Sequence, residues 1–466
     1  MFDVVRKSAI PLGDQLVERV IGLIESGRLP EGSRLPSVRQ LARRIGVSVY
    51  TVTSAFERLS AKGLIDARAG AGYFVASIRN RRALSRVELA PLASSDPGLG
   101  FARNAIEQDA ISVPAGSGFL PPSWLADAVP SSILSRVVRA GVLTESASIQ
   151  GDSALRELLA ERLRMAGLPV AGRSIVVTFG ASHAFDLIAR TLLKANDSVM
   201  VDDPGYFVLP IQLRSHGVHP IAVPRAAEGI DLDALESAAR LHRPRMLFTQ
   251  TVLHNPTGTS ATAANCHGIL TLAEKYNFVV VEDHVYTDLA PRPVVSLAQI
   301  DELKRVLYVG SFTKVLGPGL RIGFIAAPEA LVPQLVDSKI LGVLSGSALD
   351  EFVLRELLAS GKYRKHTERL RDRLAKARAA ATHALHRAGM TIERAAADGI
   401  FLWCKLPAGV DAERLSADAR AAGILLAKGA MFSLSGQSAA YLRINVAYGS
   451  DPTLTQFLES RCAAAA

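Results

Sequence analysis

The sequence predicts a multidomain chain of mixed class: a small N-terminal head of α-helices closed by a β-hairpin, then a large α/β body on a mostly parallel sheet. Three observations predict it. Residues 10–76 hold three short stretches with helical apolar spacing, followed by two strand-like runs around a Gly-rich tip. Beyond about residue 113, short apolar runs alternate with helical stretches, as in a parallel sheet covered on both faces. The charge is also uneven: residues 1–82 carry 14 Lys/Arg against 7 Asp/Glu, so the head holds most of the net +9. A basic head on a nearly neutral body points to a polyanionic partner, with plain solvated charge as the alternative.

The bulk numbers bound the rest. A chain of 466 residues with 49% hydrophobic and 21% charged content is expected to be globular, with more than one domain. Cys266, Cys404 and Cys462 are far apart and form no C-x-x-C pair, which argues for a reducing compartment and against disulfides or a metal site. The first residues lack the apolar core of a signal peptide, and no apolar run approaches the roughly 20 residues that span a bilayer. A cytoplasmic protein without membrane contact is expected.

In the head, Leu12, Leu16, Val20, Leu23 and Ile24 recur at helical spacing, and Gly27 ends the helix. Ser37 and Gln40 form a capping box for a second helix, with Val38, Leu41 and Ile45 on one face and Gly46 as its stop. Ser48 caps a third, in which Val52, Ala55, Phe56 and Leu59 face inward. Two short helices joined by a tight turn form a helix-turn-helix pattern, whose second helix would lay its first turn on base edges in the major groove. The runs around Gly70 and Gly72 read as a wing, with Arg68 and the amides near Gly70 as phosphate contacts. Periodicity alone also fits a three-helix bundle or a protein-binding head.

The residues carry more than periodicity. Arg28-Leu-Pro-Glu-Gly32-Ser-Arg34-Leu-Pro-Ser-Val-Arg-Gln-Leu-Ala, then Val-Ser-x-x-Thr-Val, then Leu-x-x-x-Gly-Leu-Ile, then Gly-x-Gly-Tyr-Phe-Val resemble the GntR-type winged helix across residues 10–76. The resemblance implies contacts to double-stranded DNA from Arg34, Arg39, Arg43, Ser48, Thr51 and Arg58. One departure matters: the family has Arg after the serine, then Asn or Thr, and this chain has Val49-Tyr50. The operator sequence is thereby put in doubt, and Tyr50 is the candidate replacement, through stacking or its hydroxyl. Residues 77–112, basic at first and then rich in Pro, Gly, Ala and Ser, read as a linker.

In the body (113–466), the strands expected near 174–178, 197–201, 218–223, 245–249, 278–281 and 306–309 place chemistry at their carboxyl ends, where ligands of such sheets bind. Gly180-Ala181-Ser182 opens a helix and suits a phosphate, or only a cap. Tyr206 could stack on a planar ring, or pack in a core. Asn255, in Asn-Pro-Thr-Gly, can donate to an aromatic oxygen, or mark a plain turn. Asp283 can pair with a protonated pyridine nitrogen, and Tyr286 can bond a ring hydroxyl. Lys314, in Ser311-Phe-Thr-Lys314 with Arg321 seven residues on, can form a Schiff base beside phosphate-holding groups, or be a solvated lysine beside a turn.

That order, completed by Leu442-Arg443-Ile-Asn, resembles the fold-type I aminotransferase family over residues 113–466. The resemblance implies pyridoxal 5′-phosphate (PLP) on Lys314, with Asp283 at the pyridine nitrogen and Asn255 and Tyr286 at the ring oxygen. It places Ala181, Ser182, Ser311 and Arg321 at the phosphate, Tyr206 on the ring, Arg443 at a substrate or effector carboxylate, and a smaller α+β domain at the C-terminus. Ser146 stands where the family has a tyrosine that reaches the neighbouring subunit's phosphate.

Head and body together resemble the MocR subfamily of GntR regulators. This implies a homodimeric, PLP-dependent transcription regulator, each head contacting the partner's body. Its effector would be an amine, amino acid or B6 vitamer that forms an external aldimine. A catalytically active aminotransferase with an autoregulatory head is the alternative.

Overall fold

The computed structural model describes residues 2–5, 10–77, 96–107, 111–144, 146–393 and 398–462. The chain forms two compact units, one within residues 1–93 and one within 94–466.

In the first unit, α1 (Leu12–Glu25), α2 (Val38–Ile45) and α3 (Val49–Ala61) enclose a core of Leu16, Val20, Leu41, Val52, Phe56 and Leu59. The helix ends follow the expected chemistry. Ser37 accepts from the Gln40 amide while the Gln40 side chain reaches back, a complete capping box. Gly46 ends α2 at φ 69°, a left-handed conformation in which a side chain would be strained. Ser48 caps α3 through the Thr51 amide. β1 (Ile65–Arg68) and β2 (Gly72–Val75) form the hairpin, in register from Ile65 opposite Val75 to Arg68 opposite Gly72.

The linker reading needs correcting. Pro97–Glu107 form a helix, α4, and Phe101 meets Phe207 of the body edge-on at 5.8 Å. Its inward positions, Gly98, Phe101 and Ala105, do have helical spacing, but two of the three are too small to register as an apolar stripe. Residues 78–95 and 108–110 of that reading lie outside the described residues.

The body is built on an eight-stranded sheet of β3 (Ile175–Thr178), β4 (Ser198–Asp203), β5 (His219–Ala226), β6 (Gly229–Ile230), β7 (Met246–Thr249), β8 (Val279–Asp283), β9 (Val306–Ser311) and β10 (Gly323–Ala326). The spatial order is β3-β10-β9-β8-β7-β4-β5-β6. β5, β4, β7, β8 and β9 pair in parallel, whereas β10 is antiparallel to both β3 and β9. Both faces are covered. Val199, Val201, Phe248, Val281 and Val309 pack into one layer, while Met200, Leu247 and Val280 pack into the other. This is the period-two alternation of a strand with two buried sides. A smaller antiparallel sheet follows, from β11 (Thr391–Ile392), β12 (Phe401–Lys405), β13 (Ala427–Lys428) and β14 (Tyr441–Asn445), in the order β11-β12-β14-β13. No helix among the described residues is long and apolar enough to cross a membrane.

Candidate cofactor site and nucleic-acid interface

The topology gathers one site at one edge of the large sheet. β7, β8 and β9 end side by side. β10, running the other way, begins between the ends of β3 and β9, with Gly323 opposite both Thr178 and Ser311. Backbones come very close there: a Cβ on Gly323 would lie 2.7 Å from the Gly310 carbonyl oxygen and 2.9 Å from Gly180. That approach brings Arg321, just before β10, to the Gly180 turn that opens the helix Ala181–Leu192.

A cavity of about 390 Å³ lies at this edge, and all nine residues expected to hold PLP line it: Ala181, Ser182, Tyr206, Asn255, Asp283, Tyr286, Ser311, Lys314 and Arg321. Lys314 Nζ donates to the Gly118 carbonyl at 3.1 Å and lies 4.4 Å from the centre of the Phe119 ring. Burial, reinforced by the Arg443 guanidinium and opposed by Asp283, pushes the amine down to about 7. Burial also pushes the Asp283 carboxyl up to about 6, against the Val285 amide, His284 and Lys314. Asp283 accepts from the Val285 amide at 3.0 Å and from Gln250 Nε2 at 3.3 Å.

The opposite end of the cavity is rich in donors. Arg321 Nη1 and Nη2 lie 3.4 Å from Thr313 Oγ1 and the Phe179 carbonyl, long bonds that leave the guanidinium free to face an anion. Ser311, Thr313, Ser182 and the amino end of the 12-residue helix Ala181–Leu192 complete a positively polarised cradle. The Tyr206 ring lines the same cavity as Ser182.

Arg443 behaves differently. It is 2% exposed and does not line the cavity. Nη1 donates to Asn255 Oδ1 at 2.7 Å, Nη2 donates to the Gly116 carbonyl, and Nε has no hydrogen-bond partner among the described residues. The Phe401 and Phe432 rings lie 4.3 and 4.8 Å away, and burial lowers the guanidinium to about 10, still a cation at neutral pH. Ser146 lies elsewhere, in a separate cavity with Asp152, Glu351 and Arg355.

Several cavity residues escaped the sequence reading. Gln250 follows β7 directly and bonds both Asp283 and the Asn255 amide, the latter at 2.6 Å. Its own backbone is fixed by buried Asp202, which accepts from the Gln250 amide and Thr249 Oγ1, both at 2.9 Å. Thr313, next to Lys314, was missed as well. Both sit at strand ends, the signal that found the others. Phe119 and Ile106 carry no such signal, because the segments bearing them reach the cavity only through tertiary folding.

The head presents a second surface. Arg34, Arg39, Arg43, Ser48 and Tyr50 are exposed, and Thr51 is half-buried. Arg34 lies beside the hairpin, its Nε 3.6 Å from where a Cβ of Gly72 would stand. Arg68 covers the Phe74 ring at 4.5 Å, and Gly70 turns the hairpin at φ 72°. Arg58 stands apart. It is ten residues beyond Ser48, about 15 Å along the helix, and its guanidinium is paired with Asp14 of α1.

Comparison with known proteins places this architecture. The model of the family "Aminotransferase class I and II" matches residues 114–460, and that of "Bacterial regulatory proteins, gntR family" matches residues 12–75. The chain belongs to the MocR subfamily of GntR-type regulators. The HTH-type transcriptional regulator YdcR of Escherichia coli is 30% identical over 449 residues, 93% of this chain and 94% of that one. The probable rhizopine catabolism regulatory protein MocR of Rhizobium meliloti is 28% identical over 380 residues, 78% and 75% of the two chains. Among solved structures, the α-aminoadipate aminotransferase LysN of Thermus thermophilus, complexed with N-(5′-phosphopyridoxyl)-L-leucine, aligns at TM-score 0.71 and 27% identity, over 79% of this chain and 98% of that one. This MocR-type chain therefore couples a GntR helix-turn-helix domain to an aminotransferase-like domain, and the family implies PLP.

The residues present fit that cofactor. A half-buried carboxylate and a lysine amine of lowered pKa line the cavity together, and the Arg321, Ser182, Ser311 and Thr313 donors suit a phosphate.

Proposed function

We propose that the protein is a PLP-dependent transcription regulator: the body senses a primary amine, amino acid or B6 vitamer, and the head binds a double-stranded operator in the cytoplasm. The observation that carries the reading is that Lys314 and Asp283 line one cavity, each shifted toward neutrality by desolvation. When bound, PLP supplies an aldehyde and an electron-withdrawing ring. Asp283 would hold the ring nitrogen and keep a proton on it. Asn255 and Tyr286 would hold the ring oxygen, Tyr206 the ring face, and Arg321, Ser182, Ser311 and Thr313 the phosphate.

The chain's own contacts suggest how the site is read out. Lys314 and Arg443 both hold carbonyls of one short segment, at Gly118 and Gly116. A carboxylate that takes both terminal nitrogens of Arg443 displaces Asn255 Oδ1 and the Gly116 carbonyl, and a lysine engaged elsewhere releases Gly118. Ile106 of α4, on the stretch that leads in from the head, also lines the cavity. Engagement of the site therefore bears on α4, the first helix described in the second unit. A useful switch needs the effector to prefer one state by about 1–3 kcal/mol.

We also propose a homodimer, each head serving one half-site. Leu134, Val138, Leu143, Leu341 and Leu344 are large apolar side chains left exposed on the body, the kind of surface a second copy would cover.

The test is protection of upstream intergenic DNA, with and without PLP and candidate amines. Protection that responds to PLP and one amine is expected. A second reading, aminotransferase catalysis, is favoured by the full set of Lys314, Asp283 and Arg443. Steady turnover of an amino donor and a keto acceptor without any DNA protection would replace the regulator with the enzyme.

A further inference from the structure

The first turn of α3 carries two side chains that the head's core does not use. Tyr50 is 81% exposed and Val49 50%, and neither belongs to the cluster built on Leu16, Leu41, Val52, Phe56 and Leu59. Their polar neighbours are engaged within the helix itself. Ser48 Oγ accepts from the Thr51 amide at 3.0 Å, and the two hydroxyls are 2.7 Å apart. What this turn presents outward is therefore an isopropyl group and a phenol ring, and Arg39 and Arg43 of α2 are exposed as well.

In the major groove, the apolar feature of the base edges is the C5 methyl group of thymine; the rest of the code is hydrogen-bond donors and acceptors. We propose that Val49 and Tyr50 are specificity-determining residues that read a thymine in each half-site, its methyl group packing against the Val49 side chain and the Tyr50 ring. This rests on the head binding duplex DNA with α3 in the major groove. The chemistry differs from that of an arginine at the same place, which forms a bidentate pair with guanine. The phosphate contacts remain with the arginines and position the helix without reading sequence.

The test uses the full-length chain. Bound duplexes are selected from a random-core pool, and each thymine of the selected sequence is replaced singly by deoxyuridine, which removes only the methyl group. At one thymine per half-site, the replacement should weaken binding about fourfold, the worth of one buried carbon. That penalty should disappear in Tyr50→Ala and Val49→Ala. Both side chains are exposed, so the head's core is untouched, and hydrogen-exchange protection of α3 checks this. A selected duplex indifferent to deoxyuridine at every thymine overturns the proposal, as does an equal penalty in wild type and both variants. Retention of DNA with no sequence preference overturns it while leaving DNA binding intact. Failure to retain any duplex overturns the DNA-binding reading and this proposal together.

Discussion

Lys314 owes its lowered pKa to its surroundings rather than to its type. Burial and the Arg443 field both disfavour its ammonium form, so near pH 7 about half of the amines are neutral. Incubating the ligand-free protein with PLP and reducing with borohydride should add mass to the peptide carrying Lys314. The rate should rise with an inflection near pH 7 instead of 10.5, and Lys314→Ala should show no addition. The same shift has a stability consequence. Between about 7 and 10.5 the unfolded chain binds a proton at Lys314 that the folded chain lacks, so stability rises with pH across that window. Asp283 has the opposite sign. Between 3.8 and about 6 the folded state holds the extra proton, so stability falls as pH rises. Asp283→Asn should flatten that fall in denaturant titrations at stepped pH. It should also weaken PLP binding roughly 10- to 150-fold, the loss of one charge-assisted hydrogen bond.

At the scale of elements, the head's helix ends follow local chemistry. Ser37→Ala should remove the capping bond of α2 and cost about 1 kcal/mol. Hydrogen exchange should show the loss in the amides of Val38–Ile45, while those of the body keep their protection. Gly323 is a different case. Its substitution by Val would put a Cβ 2.7 Å from the Gly310 carbonyl oxygen and 2.9 Å from Gly180, so the Gly180 turn must shift away from Arg321. PLP affinity should fall at least tenfold, measured by equilibrium dialysis, and the thermal midpoint should fall with it. Ser37 was legible in sequence because a capping box is complete within four residues. The role of Gly323 was not, because the Gly180 turn that crowds it lies far away in the sequence. α4 was misread for a similar reason: Gly98, Phe101 and Ala105 make a stripe only once Phe207 is there to receive it.

For the whole molecule, the exposed leucines and valine around the helix Ser131–Arg139 and the end of the helix Val332–Val343 carry the homodimer proposal. Leu341→Glu should shift the sedimentation coefficient toward a monomer. If the dimer spans two half-sites, operator affinity should fall with it, measured at fixed salt because phosphate contacts make binding salt-dependent. The same substitution leaving the sedimentation unchanged would place the interface elsewhere.

The sequence by itself determined the two-unit plan, the head's helix boundaries and nine of the residues that line the cavity. Each of these depends on local chemistry: apolar period, capping residues, and polar groups just past a buried strand. Tertiary structure alone decided how those residues are used. It set the order of strands that brings Arg321 to Gly180, placed Gln250 between Asp283 and Asn255, and laid Gly116–Phe119 over Lys314 and Arg443. It also decided the charge of the site. The low amine of Lys314 and the high carboxyl of Asp283 come from desolvation, a property of the packed interior that no short stretch of chain possesses.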